Sequence, residues 1–277
     1  MARPPRPQFP DGIYHVSARG NERSPIYRDA GDRCQFLELL EHVHERYHWR
    51  ILCYCLMTNH YHLLAQTPEP NLASGMRQLN GVYAQRFNRR HARDGHLFQG
   101  RYGARLVQAD GHLLSAVRYI VRNPIRAGLC QNPKEWRWSS HRATLGGEPP
   151  WFLDTKALLI HFGTAPAEAR ERYRAHCEHD EGDDPSAHPL IAGDETFVVT
   201  TLRRIQPEPG IPRRYFRSPR PTLADLLASP GIEAVAAAHD HGYPLREIAR
   251  HLGVHASTVS RRLNRHRTNA SAATDGT

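Results

Sequence analysis

Two short apolar segments joined by a tight turn constrain the fold more than any other feature of this sequence. Residues 50–57 read RILCYCLM, residues 60–66 read HYHLLAQ, and only Thr58 and Asn59 lie between them. Strand-like segments separated by two residues are typical of an antiparallel hairpin, whereas parallel strands need a long crossover connection. The hairpin therefore argues against a doubly wound parallel sheet and favours an α+β fold.

The remaining elements of the first 150 residues alternate between strand and helix patterns. Residues 12–18 and 104–108 are predicted strands, and residues 111–123 are a predicted helix that Pro124 stops. Asp32 is the expected cap of a helix that ends near Tyr47, and Asn71 is the expected cap of another. We expect the helices to cover one face of the sheet.

The domain organisation follows from changes in composition along the chain. Residues 1–148 form the predicted α+β domain, and residues 149–205 form a helical extension. Residues 206–221 are rich in proline and arginine without an apolar period, which indicates a linker. Residues 222–268 have the pattern of a compact helical domain, and residues 269–277 are expected to be a disordered tail.

The charge balance makes nucleic acid the first partner to consider. The 277 residues include 37 Lys and Arg against 28 Asp and Glu, and Lys134 and Lys156 are the only lysines. An arginine fork binds phosphate through two donors at once, and a basic chain is attracted to polyanions. The genomic base composition is an alternative source of part of this arginine excess.

The composition also predicts where the protein works. No apolar run approaches the roughly 20 residues of a membrane-spanning helix, and the N-terminal residues lack the apolar stretch of a secretory signal. The five cysteines are odd in number and contain no CxxC pair. We therefore expect reduced thiols in a cytoplasmic, nucleoid-associated protein without membrane contact.

The C-terminal region has the pattern of a helix-turn-helix. Residues 245–252 and 256–265 are two short helices joined by a turn at Gly253, with Val259 and Leu263 on the buried side of the second. The outer face of this second helix carries hydroxyl and arginine side chains suited to duplex DNA. These are Ser257, Thr258, Arg261, Arg262 and Arg265. The alternative is a helical hairpin with a solvated basic face.

His60 and His62 are candidate metal ligands in the second strand of the hairpin. Side chains two apart in a strand point to the same face, so both imidazoles could hold one divalent cation. With 19 histidines, about one HxH is expected by chance, and residues 42–44 and 239–241 also match. The alternative is a pair of surface histidines.

A second metal pattern is weaker. Residues 44–48 match the HExxH pattern of zinc proteases. The predicted helix ends at this point, and no third ligand follows at a suitable distance. We expect no catalytic zinc here.

Tyr119 and Asn123 lie one turn apart on the predicted helix 111–123. They flank its apolar stripe, so their side chains could converge on one point. A phenol is a weak nucleophile at neutral pH and needs a group such as a metal ion to polarise its target. On periodicity alone, a partly buried packing tyrosine and an asparagine at the helix C-cap are the better explanation of the two residues.

Several motifs in the same order resemble the REP-associated tyrosine transposases, which belong to the HUH single-strand nucleases. They are YHVSARGN in the first strand, CLMTNHYHLL in the hairpin, YIVRNPIRAGL at the helix end, and WRWSS. The resemblance covers residues 9–145, with a looser similarity at residues 191–198. Thr58 stands where relatives often have proline, and related transposases often have glutamine where Asn123 stands.

The resemblance implies a ferredoxin-like sheet with the paired histidines on a central strand. It implies that His60, His62 and Asn123 bind Mg²⁺ or Mn²⁺ and that Tyr119 is the nucleophile. The implied reaction is metal-dependent cleavage and strand transfer of single-stranded DNA at palindromic or hairpin repeats, through a 5′-phosphotyrosine, as in DNA transposition.

A basic segment at residues 76–105 is the expected path of the single strand. It has seven arginines against one acid, with aromatic residues between them, and this combination suits phosphate binding and base stacking. The predicted DNA contacts, together with an arginine beside the first strand, are Arg19, Arg86, Arg89, Arg90, Arg101, Tyr102 and Arg105. The alternative for any one arginine is a solvated surface position.

Two other functions fit parts of the sequence. One is a domesticated DNA-binding regulator that uses the helix-turn-helix and keeps an inactive nuclease fold. The other is a replication or plasmid-transfer initiator, which predicts a helicase or other large domain. The sequence leaves open whether the protein is a monomer or a homodimer.

Overall fold

The computed structural model describes residues 6–109, 111–179, 189–205, 213–216, 223–228, 231–240 and 243–274. The chain divides into two compact units, residues 1–218 and 219–277. This division falls within the predicted linker, most of which lies outside the described residues.

The first unit is built on one sheet that, in the described residues, has five strands. They are β1 (Gly12–Arg19), β2 (Arg50–Leu56), β3 (His60–Thr67), β4 (Gly103–Val107) and β5 (Ile191–Ala192). Their spatial order is β2-β3-β1-β4-β5, and every pair is antiparallel except β4 with β5. The predicted hairpin and the α+β class are confirmed.

The helices of this unit connect and cover the strands. They are α1 (Ala30–Tyr47), α2 (Leu72–Arg90), α3 (Gly111–Arg126), α4 (His141–Thr144), α5 (Thr155–Leu159), α6 (Pro166–Glu178) and α7 (Glu195–Arg204). With α1 between β1 and β2 and α2 between β3 and β4, the first four strands have the ferredoxin-like arrangement that the sequence predicted.

Helices cover both faces of the sheet, and the expectation of one covered face was wrong. Helices α1 and α2 pack on a face that includes Tyr14, Tyr61 and Leu63. Helices α3, α5 and α6 pack on the opposite face, against residues such as Cys53 and Leu64. Because alternate residues of the central strands are apolar on both sides, each face must be shielded from water.

The cap of α1 is Asp29, three residues before the predicted Asp32. Asp29 Oδ1 accepts the backbone N–H of Asp32 at 2.9 Å. Asp32 is fully buried in the first turn, where its carboxylate pairs with Arg90 and with His91, whose Nε2 lies 2.9 Å away. The sequence alone does not show which of two aspartates three positions apart caps a helix. In the structure, Asp32 is instead paired with Arg90 and His91 at the end of α2.

Asn71 begins α2 with its backbone and uses its side chain elsewhere. The backbone carbonyl accepts the N–H groups of Ser74 and Gly75, whereas the side-chain oxygen accepts the Trp49 indole N–H at 2.7 Å. No side-chain cap forms. Gly75 is required one turn later, because a Cβ there would overlap the ring of Trp49.

Helix α3 continues through Pro124, and the prediction that this proline stops the helix was wrong. A proline lacks an N–H and its ring crowds the carbonyl four residues earlier, but the residues that follow it keep their own N–H groups. The carbonyl of Asn123 still accepts the N–H of Ala127 at 3.0 Å, and that of Pro124 accepts the N–H of Leu129 at 2.9 Å. The helix therefore extends to Arg126 and holds Asn123 within a regular turn.

The predicted helical extension, residues 149–205, is part of the first unit and does not stand apart from the sheet. Its strand β5 pairs with β4, where Leu106 N–H donates to the Leu190 carbonyl at 2.8 Å. At the other edge, Leu153 forms a bridge with Ile51 of β2. A two-residue strand is too short to show an alternating pattern, so the sequence did not reveal it.

The second unit is helical, as predicted. It contains α8 (Leu223–Leu226), α9 (Ile232–Asp240), α10 (Leu245–His251) and α11 (Ala256–Thr274). Its core includes Val235, Ile248, Ala249, Val259 and Leu263. Because α11 continues to Thr274, the tail expected from residue 269 is helical over its first six residues, and residues 275–277 lie outside the described residues.

Candidate functional site

The paired histidines lie at the centre of the sheet, on the face covered by α3. Strand β3 places His62 opposite Ser17 of β1 and His60 opposite Arg19. His62 is 6% exposed and His60 is half-buried. Surface histidines would be exposed, so their burial argues against the alternative of a solvated pair.

Asn123 of α3 bridges the two imidazoles. Its Oδ1 is 3.1 Å from His60 Nε2, and its Nδ2 is 3.2 Å from His62 Nε2. The three predicted metal ligands therefore converge on one point between β3 and α3. Their shared position is the arrangement that the family resemblance implies.

Burial makes both imidazoles neutral at neutral pH. It lowers the pKa of His60. The Asn123 oxygen, which could accept a hydrogen bond only from the protonated imidazole, opposes this shift, and the positive charge of Arg19 adds to it. Burial also lowers the pKa of His62 well below its usual range, with smaller effects in the same direction from His15 and His60. A neutral imidazole has one N–H donor and one nitrogen lone pair, which is the form that binds metals.

The hydrogen-bond partners fit a cation at this point. Asn59 Nδ2 donates to the Arg23 carbonyl at 2.8 Å, which turns Asn59 Oδ1 towards His60 Nδ1 at 2.7 Å. An amide oxygen only accepts, so His60 Nδ1 donates and its Nε2 has the lone pair. This lone pair faces another acceptor, Asn123 Oδ1. Two acceptors turned towards each other are the environment that a bound cation stabilises.

A metal here depends on the amide oxygen. Among the described residues, no three or more His, Cys, Asp or Glu side chains form a group that could hold a metal. Two imidazole nitrogens and one amide oxygen suit a divalent ion that keeps open positions for substrate. The residues present therefore fit the ion that the resemblance implies.

Tyr119 lies directly beside the histidines. Its ring centroid is 5.3 Å from that of His62 and 5.6 Å from that of His15, with both pairs edge to face. The guanidinium carbon of Arg126 is 5.0 Å from the centroid of the same ring. Tyr119 is partly buried and lines a cleft of about 280 Å³ with His15, Ser17 and His62. The structure thus brings the predicted nucleophile and the predicted ligands together.

Two further clefts adjoin this one and carry positive charge. A cleft of about 410 Å³ contains His60 and His62 together with Arg19 and Arg101. A cleft of about 590 Å³ continues past β4, with Arg101 and Arg105 in its lining. Because the clefts share residues, they form one basic groove that begins at the histidines.

Several residues that line this groove were not predicted from the sequence. His15, Ser17, Gln99 and Arg6 line it, and His15 Nε2 lies 2.9 Å from His62 Nδ1. The alternation of β1 places His15 and Ser17 on the same face as each other, but only the strand register places them beside His62. That register could not be read from the sequence.

Three of the DNA contacts predicted in the first unit lie elsewhere. Arg86, Arg89 and Arg90 belong to α2, which packs on the opposite face of the sheet, and none of them lines the groove. Arg90 is paired with Asp29 and Asp32. The seven arginines of residues 76–105 are therefore divided between two faces.

Tyr102 lines the groove but is not an open stacking surface. It is buried, and the Arg6 guanidinium carbon lies 3.7 Å from its ring centroid. This contact covers one face of the ring, and the other side packs in the core under α1 and α2. The prediction of a base stacked on Tyr102 does not fit this arrangement.

The HExxH pattern does not assemble a metal site. His44 Nδ1 lies 2.6 Å from the Trp49 carbonyl, and Glu45 is exposed. His48 follows the end of α1 with a left-handed backbone (φ 55°), so it leaves the helical face that the pattern requires. All five cysteines are free thiols, as expected.

The residues predicted for duplex contact lie on the first turns of α11. Arg261, Arg262 and Arg265 are exposed, whereas Thr258 is half-buried. The Ser257 hydroxyl lies 2.8 Å from His255 Nδ1, just before the helix. The turn before α11 uses Gly253 with a positive φ of 65°, as the sequence predicted. Among the described residues, no helix is both long and apolar enough to cross a bilayer.

Comparisons with known proteins show what the two units resemble. Residues 8–123 match the family described as Transposase IS200 like, and residues 231–266 match a helix-turn-helix domain. A Haemophilus influenzae protein named "Putative REP-associated tyrosine transposase" is 28% identical over 120 residues, covering 39% of this chain and 68% of the relative.

A solved structure described as "Structure of the REP associates tyrosine transposase bound to a REP hairpin" is also similar. It has a TM-score of 0.47 and 16% identity, over 55% of this chain and 90% of that chain. The family match and the relative confirm the resemblance drawn from the motifs. Residues 8–123 are therefore similar to the IS200-like transposase family and to a REP-associated tyrosine transposase, and residues 231–266 match a helix-turn-helix domain.

Proposed function

We propose that this protein cleaves and rejoins single-stranded DNA at hairpin repeats, with Tyr119 as the nucleophile. The observation that carries the proposal is the position of the Tyr119 ring, 5.3 Å from His62 and one helical turn from Asn123. A packing tyrosine would not need a neighbouring pair of buried, neutral imidazoles. The family match at residues 8–123 supports the same chemistry.

His60, His62 and Asn123 are the residues that would hold Mg²⁺ or Mn²⁺. A divalent ion bound there would polarise the scissile phosphate and stabilise its developing charge. The chain contributes two neutral imidazoles on a rigid strand and an amide on a helix, and the remaining side faces the groove.

The covalent step exchanges one phosphodiester for another. The Tyr119 oxygen attacks the phosphorus, an O–P bond to tyrosine forms, and the bond from phosphorus to the 3′ oxygen breaks. The phenol proton leaves to solvent as the 3′ oxygen becomes a hydroxyl. The products are a 5′-phosphotyrosine and a free 3′-hydroxyl, which can reverse the reaction on the same or another strand without ATP.

The basic groove supplies the path for the strand in this proposal. Arg19 lies beside His60, and Arg101 and Arg105 continue the positive charge past β4. Arginine binds phosphate oxygens through two parallel donors, which positions the backbone without reading its sequence. The DNA contacts proposed for the first unit are therefore Arg19, Arg101 and Arg105.

The helix-turn-helix unit is proposed to bind duplex DNA. Three exposed arginines lie on successive turns of α11 and can contact phosphates or guanine edges in a major groove. These are Arg261, Arg262 and Arg265. In this proposal the second unit anchors the protein near its target.

The test is formation of a covalent protein–DNA band. Purified full-length protein is incubated with a labelled hairpin oligonucleotide and Mn²⁺, with EDTA as the matched control. We expect a band that resists denaturation, and we expect Tyr119→Phe to abolish it while hairpin binding persists. An unchanged band in that variant would refute the assignment of Tyr119.

A regulator with an inactive nuclease fold remains the second candidate, because the helix-turn-helix domain alone would support it. Such a protein would bind duplex DNA and form no covalent band with any hairpin tested. The same experiment therefore distinguishes the two functions.

A further inference from the structure

The two histidines among the candidate metal ligands each have a hydrogen-bond partner on the nitrogen that faces away from Asn123. His60 Nδ1 contacts Asn59 Oδ1 at 2.7 Å, and His62 Nδ1 contacts His15 Nε2 at 2.9 Å. A neutral imidazole can place its proton on either nitrogen, and the partner of one nitrogen decides which. Each partner therefore determines whether the nitrogen that faces the site has the proton or the lone pair.

The partner of His60 has only one role available. Asn59 Nδ2 donates to the Arg23 carbonyl at 2.8 Å, and a carbonyl can only accept. This bond fixes the direction of the amide, so Asn59 Oδ1 accepts the proton of His60 Nδ1. His60 Nε2 is then left with its lone pair towards Asn123.

The partner of His62 completes a second chain. Asn123 Nδ2 is a donor and lies 3.2 Å from His62 Nε2, so that nitrogen accepts. His62 Nδ1 must then have the proton and donate it to His15 Nε2. His15 packs edge to face against Tyr119 and stands opposite Arg105 in the register of β1 with β4, so its ring is held between the site and the groove.

We propose that His15 and Asn59 are positioning residues that hold His62 and His60 with their protons on Nδ1 and both Nε2 lone pairs towards the metal position. This inference rests on the proposed function and adds two residues to it. Partners of this kind orient metal-binding histidines in advance, and their loss commonly lowers metal affinity about 10-fold to 100-fold.

The first measurement is the proton position in the wild-type protein without metal. Full-length protein labelled with ¹⁵N-histidine is studied by long-range ¹H–¹⁵N NMR, with His60→Gln and His62→Gln to assign the signals. We expect both imidazoles to have the proton on Nδ1. A His62 proton on Nε2 would overturn the role of His15, and a His60 proton on Nε2 would overturn that of Asn59.

The second measurement is Mn²⁺ affinity, obtained from the electron paramagnetic resonance signal of free Mn²⁺. His15→Leu removes the acceptor, and we expect affinity to fall about tenfold or more. His15→Gln keeps an acceptor at a similar distance, and we expect affinity within about threefold of the wild type. Equal affinity in all three proteins, or an equal loss in both variants, would show that His15 does not act by accepting this proton.

Asn59 provides an independent pair. Asn59→Ala removes the acceptor, whereas Asn59→Asp keeps one for His60 Nδ1, so the first should lose about tenfold in affinity and the second should retain it. If His15→Leu does not fold, this pair still tests the role of Asn59, and the proton position measured by NMR tests the role of His15. The matched control is His44→Gln, which removes a histidine whose ring bonds to the Trp49 carbonyl, and it should not change Mn²⁺ affinity.

The outcomes separate this inference from the proposed function. A wild type that neither binds Mn²⁺ nor forms the covalent band overturns both. A wild type that does both, with His15→Leu and Asn59→Ala showing the same affinity, overturns only the positioning roles.

Discussion

The two faces of the central sheet differ sharply, although the same strands form both. Tyr61 and His62 are neighbours on β3 and point in opposite directions. Tyr61 packs 4.7 Å from the ring of Phe36, and its hydroxyl donates to Asn80 at 2.7 Å. His62 instead meets His15, Asn123 and Tyr119.

The difference shows how this fold separates stability from chemistry. The face under α1 and α2 is closed by aromatic rings, and some of their hydroxyl groups have internal partners, as where Tyr83 donates to the Ile26 carbonyl. The face under α3 is apolar at its ends and polar in the middle, where the imidazoles lie. Substitutions on the first face should cost folding, and substitutions in the middle of the second should cost function.

Tyr61→Ala is the strongest test of the closed face. It removes a fully buried ring, and we expect the free energy of unfolding to fall by about 3–5 kcal/mol because a cavity remains. Urea denaturation measures this change. Tyr61→Phe is the matched control and should lose only about 1 kcal/mol, the value of one hydrogen bond. A small loss in Tyr61→Ala would show that this face does not carry the stability.

His62→Ala tests the other face one residue later. We expect Mn²⁺ affinity and covalent-band formation to fall at least about 100-fold, because a direct ligand is lost as well as its orientation. The free energy of unfolding should change by only about 1–2 kcal/mol. The comparison fails if His62→Ala unfolds the protein as severely as Tyr61→Ala, or if Mn²⁺ affinity is retained.

His141 extends the comparison to acid. It is fully buried beside Tyr173, and burial lowers the pKa of its imidazole to about 4. The unfolded chain binds this proton near the ordinary histidine pKa of about 6.5, so the unfolded state binds more protons as pH falls below that value. The contribution of His141 to the free energy of unfolding is therefore present above about pH 6.5 and is lost as pH falls towards about 4.

The size of this effect is measurable against a variant. Between about pH 6.5 and 4.5 the wild type should lose about 2–3 kcal/mol more than His141→Gln. Urea denaturation at several pH values gives both curves, and parallel curves would contradict the prediction. On the opposite face, burial raises the pKa of Tyr61 and Tyr83, so their ionisation belongs to strongly alkaline solution.

Arg101→Ala and Arg90→Ala give the smallest effect and test which face meets DNA. Arg101 lines the groove, so its loss should weaken binding of a single strand about threefold to tenfold and lower the salt dependence by about one ion. Arg90 pairs with Asp29 and Asp32 at the start of α1. Because it does not line the groove, its loss should leave DNA affinity within about twofold. Fluorescence anisotropy at several salt concentrations measures both, and equal losses would place DNA on both faces.

The sequence predicted the elements of the fold well, because their patterns are local. The hairpin was recognisable from two apolar segments and a two-residue turn, and Tyr119 and Asn123 were placed together by helical spacing. The family motifs then joined these two elements into one candidate site. Local periodicity and motif order were sufficient for that much.

What the sequence did not reveal depends on register and on distant partners. His15 meets His62 only because β1 pairs antiparallel with β3 in one register. The sequence around Arg90 is consistent with a phosphate contact, but in the structure its guanidinium pairs with Asp29 and Asp32. Charge along a chain does not show which face of the sheet each arginine reaches.

The pairing of β5 with β4 has a practical consequence for shortened versions of this protein. A fragment ending near residue 148 would keep the histidines and Tyr119 but lose the strand that bonds Leu106 and Gln108 through their backbones. The uncovered border of β4 would then offer free amides to another copy, which favours self-association. A shortened first unit made for crystallisation should therefore retain residues through at least Arg204.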